Sequence, residues 1–329
     1  MAEKLELVCP AGTPAAFDAA LEAGADTIYC GYRDATNARN FPGLNFSRKE
    51  LKEAAQKAKD RGVNILLAMN TWSKAGGSDI WKQGLEDAAE IGVNAVILAD
   101  IGLLSWAKEN VPNLRRHLSV QASASNAASI NYYVKEFDVK RVVLPRVLTL
   151  DEITALNSKI DVESEVFVFG GLCVMAEGRC SLSSYVTGLS PNKDGVCSPA
   201  SHVSYQQQGS KLVSRLGGST INVFDESENA GYPTLCKGRF MAQGKPSWLF
   251  EEPTSLSVID ILDKLQDAGV TALKIEGRQR SRAYVRQIVS AFRAAIDAIA
   301  EGKSYDASAL QALSEGGRST KGAYNRRWQ

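Results

Sequence analysis

The chain has 329 residues, 44% of them hydrophobic, which is enough to bury one large core or two ordinary ones. Its 38 basic residues nearly cancel 37 acidic ones, and a net charge of +1 speaks against a protein that clamps nucleic acid along a basic face. The opening MAEKLELVCPAG has no basic leader ahead of an apolar run. No stretch reaches about 18 uninterrupted apolar residues. A cytoplasmic location with no signal peptide and no membrane span is therefore expected, and with it reduced cysteines.

Strand-like apolar runs follow one another at Leu5–Cys9, Thr27–Gly31, Ile65–Asn70, Ala95–Asp100, Leu118–Ala122, Arg141–Pro145, Glu165–Phe169 and Ala272–Glu276. One local phrase introduces four of them: LEAGADTIYCG, KDRGVNILLAMN, EIGVNAVILAD and QDAGVTALKIEG. In each, a helix-like segment stops at a glycine (Gly24, Gly62, Gly92, Gly269) and a small or β-branched residue leads into the strand. Nearly continuous apolar runs suit parallel strands covered on both faces. The final helix carries a stripe of Val285, Ile288, Val289, Phe292, Ala295, Ile296 and Ile299. Eight such units predict an α/β fold, a (β/α)8 TIM-like barrel spanning 1–329 as a single domain. An open doubly wound sheet is the rival, and no G-x-G-x-x-G follows the first strand to support it.

The spacing breaks once. Roughly a hundred residues separate the seventh and eighth strands, far more than a βα unit needs. The excess, 171–250, is rich in Gly, Ser and Asn and has too few apolar runs to be expected to build its own core. It carries Cys173, Cys180, Cys197 and Cys236, spaced C-x6-C, C-x16-C and C-x38-C. A metal centre would staple such a segment. Thiolates hold zinc or an iron–sulfur cluster, and these spacings match neither tight zinc knuckles nor ferredoxin runs, so cluster, zinc and separate core thiols all stay open. Cys9 and Cys30, at the ends of the first two strands, read as small buried hydrophobes.

Glu165-x-Phe167-x-x-Gly170, followed by Cys173-x4-Gly178-x-Cys180-x-Leu182-Ser183, resembles the signature of the collagenase-like peptidase family, with Gly171 in place of the usual serine or alanine. The similarity extends through VCPAG at Val8–Gly12, DATNARNFPGLNF at Asp34–Phe46, SVQASASN at Ser119–Asn126 and VVLPRVL at Val142–Leu148. It continues in ENAGYPTLCKGR at Glu228–Arg239, KIEGRQRS at Lys274–Ser281 and a closing GAYNRRWQ. These stretches resemble most the branch of the family that serves ubiquinone biosynthesis. The resemblance implies a 4Fe–4S cluster on Cys173, Cys180, Cys197 and Cys236. It also implies oxygen-independent hydroxylation of a ubiquinone-precursor ring, in a heterodimer with a UbiV-like paralogue, with prephenate as the small anionic oxygen donor. Proteolysis gains no support: His117 and His202, the two histidines, form no H-E-x-x-H, and there is no G-x-S-x-G.

Residues just past barrel strands are those a ligand meets, here Asn70, Asp100, Gln121, Ser123, Arg146, Glu276 and Arg278. Arg146 and Arg278 suit forked binding of a carboxylated donor, whereas any of these groups can instead cap a loop. The basic run Gly277–Arg282 precedes a helix N-terminus, a place for an anion or simply a solvated face. Asn37, Arg39 and Asn45 lie in a long polar loop suited to a lid or a partner surface. Trp248 and Trp328 are expected in the core, and the tail 316–329 is expected to dock. A lipid-carrier protein is expected to present the insoluble precursor, since no amphipathic anchor is visible. Two alternatives stand: a noncatalytic subunit that stabilises its partner, and an RNA-base hydroxylase, which the balanced charge disfavours.

Overall fold

The structure, a computed structural model, describes residues 5–192, 197–306 and 308–327. From the N-terminus, β1 (Glu6–Pro10), α1 (Pro14–Glu22), β2 (Thr27–Gly31), α2 (Arg48–Asp60), β3 (Asn64–Met69) and α3 (Asp79–Ile91) alternate. The alternation continues through β4 (Ala95–Leu98), α4 (Ile101–Asn110), β5 (Arg115–Leu118), α5 (Ala127–Phe137), β6 (Val139–Val143), α6 (Leu150–Asn157) and β7 (Glu163–Gly171). Next come α7 (Leu182–Thr187), β8 (Val203–Gln208), β9 (Lys211–Leu216), β10 (Ser219–Phe224), β11 (Arg239–Ala242) and β12 (Lys245–Trp248). The chain then re-enters through β13 (Ser255–Ser257), α8 (Leu262–Asp267), β14 (Ala272–Ile275) and α9 (Arg282–Ala300), and ends near β15 (Ser319–Thr320).

Strands β1 to β7 pair in order, all parallel, and β14 pairs with both β1 and β7. That second pairing closes an eight-stranded (β/α)8 barrel, as the repeats predict. Gly92 shows why the repeat needs its glycine. It ends α3 at φ +82°, donating its N–H to Ala88 O, a left-handed cap that costs glycine little. The apolar stripe of α9 is buried against the barrel, with Phe292 edge-on to Phe169 at 6.0 Å.

The barrel strands carry both a small apolar cluster and a set of buried charges. Val8, Tyr29, Leu66, Ala68, Ala95, Ile97 and Ala272 form one cluster. Across from it lie buried His117, Arg141, Glu165 and Lys274. Charges in such a place must be paired to be tolerated. Arg141 bonds Glu6, Glu163 and Glu165, while Lys274 bonds Glu165 and sits 3.9 Å over the Tyr29 ring. Burial, followed by Arg141, Arg115 and Lys274, drives the His117 pKa well below its usual value, so its imidazole stays neutral.

This charged lumen explains one correction. The fifth strand is Arg115–Leu118, not Leu118–Ala122; Val120–Ala122 is a 3-10 turn capped by the Ser119 hydroxyl. RRHL does not read as a covered strand because His117 is buried among lumen charges, half-exposed Arg115 bonds His117 and Glu163, and buried Arg116 pairs with Asp138.

The segment between β7 and β13 also has more structure than its composition suggests. Strands β8, β9 and β10 form an antiparallel sheet and β11–β12 a hairpin, with Val213, Leu216, Ile221 and Phe224 buried. Trp248 is a second correction: it is 38% exposed, with Arg239 5.5 Å above its ring, rather than in the core. The tail docks as expected. Strand β15 pairs with β13, β13 pairs antiparallel with β7, and buried Tyr324 donates its hydroxyl to Phe167 O at 2.7 Å. Trp328 lies outside the described residues. Among the described residues, no helix is long and apolar enough to cross a membrane.

Candidate cysteine and arginine site at the barrel mouth

The sheet delivers β7 to the C-terminal face of the barrel, and two residues after Gly171 the chain reaches Cys173. From there it turns through Glu177 and Gly178 to Cys180, packing on the turn that follows β5. Gly178 has φ +80°, and a Cβ there would stand 1.9 Å from Gln121 O. The Ser123 hydroxyl donates to Glu177 O at the same contact. Only glycine permits this approach, so Gly178→Ala is expected to lift the Cys173–Cys180 loop. Backbone strain alone costs roughly 1–3 kcal/mol, and the clash adds to it. Thermal unfolding and the alkylation rate of Cys180 measure the effect; an unchanged rate would contradict this packing.

All six cysteines are free thiols. Four of them influence one another. Burial raises the Cys173 pKa first, then Glu177, with Cys197 contributing and Arg146 opposing. Cys197 is raised by burial, with Cys180 adding to the rise. Although Cys197 is exposed as a residue, enough protein surrounds its sulfur for burial to lead. Cys236 is pushed up to about 12 by burial, with Cys197 and Cys180 contributing. The four sulfurs thus share one region. Among the described residues, no group of three or more His, Cys, Asp or Glu side chains is placed to hold a metal ion. The donor set is all sulfur, and that soft chemistry is the one four-cysteine iron–sulfur clusters use. Cys9 and Cys30 point elsewhere, into the core, bonding Leu7 O and Leu66 O.

Arg146 and Arg39 act on this sulfur region. Arg146 pairs with Glu177, both almost fully buried, and its guanidinium lies 3.4 Å from the Phe167 ring centroid. Arg278 donates to Asn37 Oδ1 at 2.7 Å and stacks at 5.5 Å from Tyr29. Burial lowers the Arg278 pKa to about 10, with Tyr29 and Glu276 opposing and Arg39 assisting, which leaves it charged at neutral pH. Glu276 accepts from Gly171 N at 3.0 Å. Burial raises its pKa, but Arg39, that N–H, Arg146 and Arg280 together outweigh burial and hold it below the usual carboxylate range. The polar loop after β2 supplies Arg39 and is fixed by Asn37 Oδ1, which accepts from Arg39 N, and by Asn45 Nδ2, which donates to Arg39 O. Arg39 also acts on Cys197, so the loop spans sulfur region and mouth.

Arg146, Glu276, Arg278 and Arg39 therefore come together. Asp100 does not join them: its carboxylate caps α4 through Gly102 N and Leu103 N and holds Ser73. Asn70 likewise serves the loop, accepting from Ala38 N. Three buried atoms at the junction have no partner among the described residues: Arg146 Nε, Glu177 Oε2 and Gln121 Oε1. Buried polar atoms left in this way mark a place for water or ligand. Glu177 escaped the sequence reading. The available signal was an acidic residue inside the C-x6-C loop, one strand on from a mouth arginine.

The model of Peptidase family U32 matches residues 12–327. The tRNA hydroxylation protein P of Escherichia coli is 31% identical over 331 residues, covering 94% of this chain and 72% of that protein. The collagenase of Porphyromonas gingivalis is 27% identical, covering 93% of this chain and 68% of that protein. The 23S rRNA 5-hydroxycytidine C2501 synthase of Escherichia coli is 28% identical over 91% of this chain, a match that spans 40% of that protein.

Proposed function

The chain belongs to peptidase family U32, and we propose that within it the chain is the iron–sulfur subunit of an oxygen-independent hydroxylase. The observation that carries this reading is four free thiols, linked by the influence of Cys197 on Cys173 and Cys236 and of Cys180 on Cys197 and Cys236, with Arg39, Arg146 and Glu276 acting on the same group. Cys173, Cys180, Cys197 and Cys236 would hold a 4Fe–4S cluster, which when bound supplies one-electron redox chemistry. Hydroxylation without O2 needs another molecule to deliver the oxygen. Arg146 and Arg278 offer forked donors to a carboxylated donor such as prephenate. Glu276, kept ionised by the arginines, can orient a donor N–H or O–H of the acceptor. Neutral His117 is bonded into the lumen and is not a candidate base.

The stretches around the cysteines resemble UbiU, which favours a ubiquinone-precursor ring as substrate and a UbiV-like paralogue as heterodimer partner. The names of two relatives, one acting on tRNA and one on rRNA, favour a second reading in which the ring is an RNA base. Oxygen-free cultures with and without the chain separate the two. On the first reading, one added oxygen on the ubiquinone precursor disappears with the chain, while digested RNA keeps all its hydroxylated nucleosides. The opposite pattern sinks the ubiquinone reading. No change in either pool sinks the hydroxylase reading itself.

A further inference from the structure

Helices α2 and α3 pack side by side on the flank of the barrel, tied by Arg48, whose guanidinium bonds Asp87. Charge is sorted on their outer faces. Lys49, Lys52 and Lys59 stand on one shoulder of α2 and, with Val63 and Ile91, line a groove of about 870 Å3. Glu53 is the one acid on that wall. On α3 the exposed acids Asp79, Glu86 and Glu90 share one helix face. None of these three lysines and three acids has an ion-pair partner among the described residues, whereas the charges around them are paired: Arg48 with Asp34 and Asp87, and Lys57 with Asp18 at 2.8 Å. Ile80 is 45% exposed and lies two turns before Asp87 on the same side of α3, the side turned toward α2.

We propose that this flank binds a second copy of the chain about a two-fold axis, with α2 of each copy lying antiparallel along α3 of the other. Charge spacing selects both the partner and the direction. At 1.5 Å of rise per residue, successive lysines on α2 are about 4.5 and 10.5 Å apart, and the acids of α3, taken backwards from Glu90, are about 6 and 10.5 Å apart. Lys49 then meets the partner's Glu90, Lys52 the partner's Glu86 and Lys59 the partner's Asp79. The flexible lysine stems cover the mismatch of about 1.5 Å. With the helices parallel instead, the middle pair would miss by about 6 Å. The two-fold axis makes every contact twice, so both charged rows of both copies are matched at once. The same alignment carries the partner's Ile80 to the end of α2 near Lys59, where Val63 and Ile91 form the apolar floor of the groove. Exposed ion pairs are weak singly, so the rows fix orientation while the apolar contact adds burial. None of these residues belongs to the mouth site, and the inference does not rest on the cluster.

Sedimentation velocity of the full chain at low ionic strength is the test, with circular dichroism confirming that each variant is folded. Wild type is expected to sediment as a dimer that weakens as salt is added, with or without bound iron. Lys52→Glu/Lys59→Glu and Asp79→Lys/Glu86→Lys each set like charges against one another. Each is expected to raise the dimer dissociation constant on the order of a hundredfold. An equal mixture of the two is expected to restore a dimer, because the reversed lysines of one then face the reversed acids of the other, and the unaltered rows face each other as before. Lys57→Glu, on the α1 side of α2, is expected to leave the dimer intact. Should a charge-reversed variant fail to fold, the neutral Lys52→Met/Lys59→Met takes its place and is expected to weaken the dimer. A wild-type monomer, a dimer indifferent to both reversals, or a mixture that stays monomeric although both variants fold would overturn the inference.

Discussion

Replacing Cys173 with alanine is expected to abolish iron and labile sulfide binding and to reduce hydroxylation to background while the barrel stays folded. Cys173 lies beyond the hydrogen-bonded end of β7, so the eight-stranded sheet and the α9 stripe do not depend on its sulfur. Four thiolates share a cluster's charge, and removing one leaves the inorganic core a ligand short. Far-ultraviolet circular dichroism should be nearly unchanged, whereas protease resistance of residues 171–250 should fall if, as proposed, this segment with a small core is stapled by a metal centre. Cys30→Ala is the control. That thiol is buried in the core against Leu66 O and should keep iron at the wild-type level, at a stability cost of about 1 kcal/mol or more. Iron retained by Cys173→Ala would remove that residue from the ligand set.

Arg146→Met should unfold the mouth more severely than any surface change. It strands the Glu177 carboxylate, which is 6% exposed and has one oxygen without any partner among the described residues. Breaking a buried pair on one side costs about 3–5 kcal/mol, a large share of the ~5–15 kcal/mol that holds a domain together. Adding Glu177→Gln removes the stranded charge and should recover most of that stability in urea denaturation. It should not recover activity, because the forked donor is still missing. If the double variant hydroxylates at the wild-type rate, Arg146 is a structural residue and the donor is bound elsewhere.

The barrel was legible because its signals are local. A glycine ending each helix and an apolar run after it repeat at short range, and burial on both faces allows no other composition for β2, β3 and β4. Legibility failed where side chains satisfy each other across the fold. Of the charges in RRHL, Arg115 is explained by Glu163 and buried Arg116 by Asp138 and the Phe137 carbonyl, partners distant in sequence. The β8–β10 sheet escaped notice because one of its faces is exposed, giving short mixed runs such as KLVSRL rather than a continuous apolar stretch. The cysteines were visible as residue types, but nothing local says that Cys180 and Cys197 act on Cys236. Likewise Glu177 becomes meaningful only once Arg146 is seen beside it.

The mouth candidates divide along the same line. Asp100 turned out to be a helix cap, the ordinary task of a carboxylate at a strand end. Arg278 and Asn37, separated by 241 positions, face each other across the mouth, a contact that no periodicity announces. Functional grouping here is a property of the closed barrel, which brings the ends of β2, β6, β7 and β14 to one face.

Iron and acid-labile sulfide, assayed together on the chain purified under argon, address the convergence of the four thiols most directly. Equal amounts of both are predicted, with all four cysteines protected from alkylation until the iron is chelated. Zinc without sulfide, or four thiols that alkylate at the same rate before and after chelation, would contradict it.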